Sequence, residues 1–149
     1  MKFSALYKED FLNGEGLRVS LFVSGCSHGC EGCHNPRTHN PKYGEEYTDD
    51  VKWEIIAALE KADGLTLSGG DPLFKRNIEP LTDLVKEVKS IYPEKNIWMW
   101  TGHTYQNVKH LEILKYVDVL IDGKYDKTRP SAPWRGSDNQ QIIYLGEPN

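Results

Sequence analysis

Short apolar runs alternate with helical stripes along this chain, and most of the runs end in a glycine-bearing loop. That alternation constrains the fold more than any other feature. Residues 17–23 (LRVSLFV) read as a strand running straight into Ser24, Gly25 and a cluster of cysteines. Residues 65–67 read as a second strand, ending in Ser68-Gly69-Gly70-Asp71, and residues 97–100 as a third, ending in Thr101-Gly102. Residues 117–121 give a fourth, closed by the turn pair Asp122-Gly123, and residues 141–145 a last one.

Between the runs the period changes. Over residues 49–62, Val51, Ile55, Leu59 and Ala62 share one helical face, with Ile56 beside them. Thr48 suits the N-cap, Asp49 and Asp50 suit the positive end of that helix, and Gly64 its stop. Ile78, Leu81, Val85 and Val88 make a second stripe, flanked by Leu84 and Ile91, with Pro93 just beyond it. A weaker helix carries Val108, Leu111 and Leu114.

Strands alternating with helices predict an α/β fold with a mostly parallel sheet and right-handed crossovers. In such sheets ligands bind beyond the C-terminal ends of the strands. The cysteine loop, Ser68–Asp71, Thr101-Gly102 and Asp122-Gly123 would then meet at one edge, provided that no strand among the four runs antiparallel. With 149 residues the chain is expected to form a single domain over 1–149. That is too short for a closed eight-fold β/α barrel of about 250 residues.

The formal net charge is -4, from 18 Lys+Arg against 22 Asp+Glu. This balance gives no reason to expect a nucleic-acid or membrane-surface partner. The first ten residues lack a signal-peptide pattern, and no run is apolar and long enough to cross a bilayer, so a soluble, cytoplasmic protein is expected.

All 3 cysteines fall within residues 26–33, in the order Cys26-Ser27-His28-Gly29-Cys30-Glu31-Gly32-Cys33. An odd, clustered set points to metal or redox use rather than to a disulfide framework. Closely spaced thiolates on a loop that Gly25, Gly29 and Gly32 let bend can wrap a compact iron–sulfur cluster. A [4Fe–4S] cluster that only transfers electrons normally has four thiolates, so three leave one iron open to a further ligand. Spacing alone leaves other readings standing. A zinc site could use the cysteines with His34 or His28, a redox dithiol could use Cys30 and Cys33, and buried packing is the third.

Gly69 and Gly70 at a strand end let a ligand lie against bare backbone, whose N–H and C=O groups hold ammonium or carboxylate, and Asp71 could pair with a cation. An ordinary strand-to-helix turn with Asp71 as the cap fits the same residues.

Cys-x3-Cys-x2-Cys after one strand and Gly-Gly-acid-Pro after the next resemble the radical S-adenosylmethionine superfamily. Asn13-Gly14-Glu15-Gly16-Leu17-Arg18 and Cys33-His34-Asn35-Pro36 narrow the resemblance to the glycyl-radical-enzyme activases, most nearly those acting on anaerobic ribonucleoside-triphosphate reductase. Matching segments run from Gly25 to Cys33, from Ser68 to Pro72, from Trp100 to Gly102, from Asp118 to Gly123 and from Arg135 to Gln140. Gly32 stands where the wider superfamily often has an aromatic residue, which favours the narrower group.

The resemblance implies an incomplete, open β/α barrel and an enzyme, a radical S-adenosylmethionine oxidoreductase. Cys26, Cys30 and Cys33 would each ligate one iron of a [4Fe–4S] cluster. The fourth iron would take the amino and carboxylate groups of S-adenosylmethionine. Gly69, Gly70 and Asp71 would hold the methionine amino end, and the backbone of Gly32, Cys33 and His34 would lie near the adenosine. Reductive cleavage would give a 5′-deoxyadenosyl radical that makes a glycyl radical on the reductase, with an electron donor such as flavodoxin. Activation of another glycyl radical enzyme, or a non-catalytic iron–sulfur or zinc module, are the alternatives.

The remaining candidates read more plainly. His28 reads as a solvated loop residue, and His103 and His110 as surface or packing residues. Trp98 and Trp100 fit a buried strand. Lys124, Lys127, Arg129 and Arg135 form a basic region, either a solvated loop or a surface that docks the reductase.

Overall fold

The computed structural model of the chain describes residues 1–30 and 36–146. Gly32, Cys33 and His34, expected to contact the cluster and cofactor, lie outside these described residues. The strands are β1 (Lys2–Asp10), β2 (Arg18–Val23), β3 (Glu45–Glu46), β4 (Gly64–Gly69), β5 (Asn96–Trp100), β6 (Val119–Asp122) and β7 (Gln141–Tyr144). The helices are α1 (Asp49–Leu59), α2 (Lys75–Ile91) and α3 (Tyr105–Val108), with 3-10 turns at Pro36–His39 and Glu112–Lys115.

The described strands form one open sheet in the order β3-β1-β2-β4-β5-β6-β7. The four central strands β2, β4, β5 and β6 are parallel, with Leu21 beside Leu67, Leu67 beside Met99 and Met99 beside Leu120. The expected mostly parallel sheet therefore holds for the centre only. β1 and β3 on one side and β7 on the other run antiparallel, so the sheet is mixed.

β1 was not expected from the sequence. Its register with β2 shifts between Phe3 and Ala5 and again between Tyr7 and Asp10. Such irregularities break the in-out alternation by which a half-exposed antiparallel strand is read.

The pleat sorts the central strands into two faces. Val19, Leu21, Leu65, Leu67, Ile97, Met99 and Leu120 join Ile55 and Leu59 of α1 and Leu81, Leu84 and Val88 of α2 in one core. Each fully buried leucine there contributes about 1.5–3 kcal/mol. The alternate positions Phe22, Ser68 and Trp100 face the other way and border a cavity. A smaller cluster of Trp98, Val119 and Ile121, joined by Trp100, Trp134 and Ile142, packs on that second face.

α1 begins as expected. Thr48 is extended and its Oγ1 accepts from the Val51 amide at 3.3 Å. It ends at Leu59, three residues before the expected end at Ala62. Gly64 is not its stop but the first residue of β4. A Cβ on Gly64 would stand 2.2 Å from the Asn96 carbonyl and 2.7 Å from Arg18 Nη2, so the neighbouring strand and the buried arginine require glycine there. The weak helix through Val108 and Leu114 is two pieces, α3 and the 3-10 turn, each feeding buried side chains into the core.

Candidate functional site

Because the four central strands are parallel, the loops after β2, β4, β5 and β6 meet at one edge, as the order of motifs requires. They enclose one end of a cavity of about 600 Å³, bordered by Cys26, Cys30, Ser68, Gly69, Gly70, Thr101, Gly102 and Gly123. Leu12, Asn13, Tyr125, Trp134 and Arg135 border it elsewhere. The volume lies within the roughly 300–1,000 Å³ of small-molecule sites.

The cysteine loop is built on backbone bonds. The Gly25 amide donates to the Thr38 carbonyl at 2.6 Å and the Cys26 amide to the His39 carbonyl at 3.2 Å, so the 3-10 turn props the loop from below. Gly25 has φ 107°, and a Cβ there would stand 2.4 Å from the Phe74 ring. Asn77, 1% exposed, donates from Nδ2 to the carbonyls of Ser24 at 2.9 Å and Asp71 at 3.0 Å. The sequence reading missed Asn77. Its signal is its place four residues before Leu81, on the buried stripe of α2.

Cys26 is half-buried, and burial pushes its thiol above the ordinary value, with the nearby Asp71 and Cys30 adding to the rise against hydrogen bonds from the His28 and Gly29 backbone. A thiolate at this position therefore wants a cation beside it, which iron or zinc supplies.

The glycines at the end of β4 press on the cysteine loop. Gly69 has φ 114°, and a Cβ there would stand 2.3 Å from the Val23 carbonyl. A Cβ on Gly70 would meet the Thr38 carbonyl at 2.5 Å and the Gly25 carbonyl at 2.6 Å. The Gly70 amide donates to the Val23 carbonyl and the Asp71 amide to the Gly25 carbonyl, at 2.8 and 2.7 Å. Both glycines border the cavity.

Asp71 does not border that cavity. It is 1% exposed, and its carboxylate is surrounded by donors. Oδ1 accepts from the Leu73 amide at 2.9 Å and Thr101 Oγ1 at 2.8 Å, and Oδ2 from the Gly102 amide at 3.0 Å and His28 Nε2 at 2.6 Å. It caps the turn into the next segment and ties three loops together. Asp71, expected beside the cofactor, thus has its carboxylate turned to Leu73, Thr101, Gly102 and His28.

His28 is likewise not a solvated loop residue. Its side chain is 7% exposed, because Asp71 draws the ring inward and the ring of His103 covers it at 4.5 Å and 72°. The atoms of Cys26, His28 and Asp71 that could ligate a metal lie within 4.8 Å of one another. Zinc ligation through His28 Nε2 would break the bond that this nitrogen makes with Asp71. His110 is exposed, as expected.

Trp98 is 3% exposed, whereas Trp100 borders the cavity and donates from Nε1 to the Trp134 carbonyl at 2.7 Å. Of the basic region, Lys124, Lys127 and Arg129 are exposed and Arg135 is half-buried. Arg129 pairs with Asp138, and Arg135 donates to the Pro133 and Gln140 carbonyls while bordering the cavity. Gln140 stitches this tail, accepting from the Gly136 amide and donating to the Gly123 carbonyl, both at 2.9 Å.

Residues 12–143 match the model of a family described as a 4Fe-4S single cluster domain. The chain is 50% identical over 145 residues to the anaerobic ribonucleoside-triphosphate reductase-activating protein of Enterobacteria phage T4, covering 95% of this chain and 93% of that one. It is 46% identical to the protein of the same name from Pasteurella multocida, covering 97% of each chain. Identity to the Escherichia coli K12 protein of that name is 39%, over 97% of this chain and 99% of the other.

Proposed function

The chain belongs to the family of anaerobic ribonucleoside-triphosphate reductase-activating proteins, built on a 4Fe-4S single cluster domain, and on that premise we propose that it activates such a reductase by radical chemistry on S-adenosylmethionine. The observation that carries this reading is the shared cavity. Cys26 and Cys30 border the same space as Gly69 and Gly70, at the C-terminal edge of the parallel strands.

The residues fit the cofactors. Cys26 and Cys30, with Cys33 as the third ligand, would hold three irons of a [4Fe–4S] cluster and leave the fourth open. Gly69 and Gly70 offer bare backbone to the methionine amino end, while Gly32, Cys33 and His34 would line the adenosine side. Asp71 holds Thr101, Gly102 and His28 in place behind them. When bound, the cluster would supply one-electron reductive cleavage of S-adenosylmethionine, with the electron from an external donor, as the source of the radical passed to a glycine of the reductase. The chain's own part is binding, orientation and exclusion of water. An open sheet with helices on one face supports the reading of an incomplete β/α barrel of radical S-adenosylmethionine type. The reductase glycine would enter the cavity that Leu12, Asn13, Trp134 and Arg135 border on the second face.

Anaerobic reconstitution tests the proposal. About four irons per chain are expected for one such cluster. The reduced protein should cleave S-adenosylmethionine to 5′-deoxyadenosine and raise a glycyl radical signal on the reductase. Bound zinc with no cleavage would overturn the proposal. A radical formed only on a different glycyl radical enzyme would reassign its partner.

A further inference from the structure

We propose that His28 is a positioning residue. Its hydrogen bond to Asp71 sets the arc between Cys26 and Cys30 in register with Gly69 and Gly70, and so sets the affinity for S-adenosylmethionine. This inference rests on the function proposed above and assigns a role to a side chain that borders the cavity with its Nε2 turned to Asp71.

Among the described residues, few other bonds tie the arc to the neighbouring loops, although the His28 and Gly29 amides bond to Cys26 within it. Gly25 and Cys26 are fixed by backbone bonds to Thr38 and His39, but among the described residues the backbone of 27–30 makes no backbone hydrogen bond to another loop. Gly29 has φ 59°, and a Cβ there would meet nothing within 4 Å. Midway along this loose arc, His28 Nε2 donates to Asp71 Oδ2 at 2.6 Å. The two side chains are 7% and 1% exposed, so the bond is shielded from water.

The slot for the ring is built. A Cβ on Gly102 would stand 2.5 Å from His28 Cδ2, so only glycine at 102 admits the ring. His103 packs edge-on against its far side. Asp71 in turn is fixed by Thr101, Gly102 and Leu73, and its amide by the Gly25 carbonyl. Through one bond, the segment carrying Cys30 is thereby referenced to the ends of β4 and β5. Thiolates that grip iron find their own distances to it. A small molecule that bridges the cluster and Gly69-Gly70 depends on how those two are spaced.

The test compares His28→Ala and His28→Gln with the unaltered protein, each reconstituted anaerobically. Glutamine keeps an N–H donor near the place of Nε2. Three readouts are taken: irons per chain, KM and kcat for cleavage of S-adenosylmethionine, and the S-adenosylmethionine concentration that half-converts the electron paramagnetic resonance signal of the reduced cluster. His28→Ala should retain its iron. Its KM and half-conversion concentration should rise together by about 10- to 100-fold, the range of a lost hydrogen bond to a charged group, with a much smaller change in kcat. His28→Gln should recover most of the loss. Unchanged KM in His28→Ala, equal defects in both variants, or loss of iron or fold in His28→Ala would each overturn the inference alone. Unaltered protein that holds the cluster yet neither binds nor cleaves S-adenosylmethionine would overturn the proposed function, and this inference with it.

Discussion

Arg18 and Thr66 are joined by a 2.6 Å hydrogen bond from Nε to Oγ1, and Thr66 Oγ1 donates onward to the Asn13 carbonyl at 2.6 Å. The arginine is fully buried and also serves the carbonyls of Glu15, Leu65 and Asn96, with its guanidinium 5.5 Å from the Trp98 ring centre. Burial lowers its pKa to about 10, opposed by the charges of Asp63 and Asp10, so it stays protonated at neutral pH. Here lies a physical reason for Arg18 in the Asn13–Arg18 segment: it pins the turn that brings Leu12 and Asn13 to the cavity.

Arg18→Lys should therefore be far from conservative. One ammonium cannot reach four acceptors in three directions, and each orphaned buried acceptor costs about 1–3 kcal/mol. A loss of about 3 kcal/mol is expected in urea unfolding of the metal-free protein. A change below about 0.5 kcal/mol would show that the fork is not used.

Gly102→Ala should reproduce the loss of His28 without touching it. The added Cβ would lie 2.5 Å from Cδ2 and 2.7 Å from Nε2 of that ring, so the ring must shift from its place against Asp71. KM for S-adenosylmethionine should rise about tenfold or more, and adding His28→Ala should raise it little further, because both changes remove one interaction. Additive effects would separate the two residues.

Much of this was legible in the sequence, for reasons that particular residues make plain. The central strands showed because Val19, Leu21, Leu65, Leu67, Ile97 and Met99 all face one core, and a loop with glycine follows each strand. The cavity edge followed from their order. β1 was hidden by its shifts of register. The direction of β7 was hidden because its residues read alike in a parallel or an antiparallel pair. His28 and Asp71 carried charge-bearing side chains in polar loops, which looks like exposure or ligand contact. Their burial against each other arises only when loops 43 residues apart meet. The segment from Gly123 to Gln140 has no period to read, since side-chain bonds such as those of Gln140 take the place of a backbone ladder.

Cys30→Ser should separate cluster from fold. The main core draws on strands and helices, and none of its members lies between Ser24 and Cys30. Iron after reconstitution should fall from about four per chain to under about one. Unfolding of the metal-free protein should shift by less than about 0.5 kcal/mol, as for a substitution away from packed features. A large shift would mean that the cysteine loop carries the fold.

Asp10 gives the acid limb of stability a specific origin. Its Oδ1 accepts from the Leu12 amide at 2.8 Å and its Oδ2 from Asn13 Nδ2 at 2.7 Å. Burial pushes the carboxyl up, but the nearby Ser20 hydroxyl, then Asn13, the Leu12 amide and the Arg18 charge outweigh it and hold the group below its ordinary value. A carboxyl lowered in the folded state stabilises fully above its unfolded pKa of about 3.9, and that contribution is lost as pH falls through the folded value. Asp10→Asn puts an amide N–H₂ where two donors already point. It should cost about 1–2 kcal/mol at pH 7, and the difference from the unaltered protein should shrink below about pH 4 as both forms become neutral. Urea unfolding at several pH values measures this. An equal deficit at pH 3 and pH 7 would show that packing, not charge, is what Asp10 contributes to the turn carrying Leu12 and Asn13.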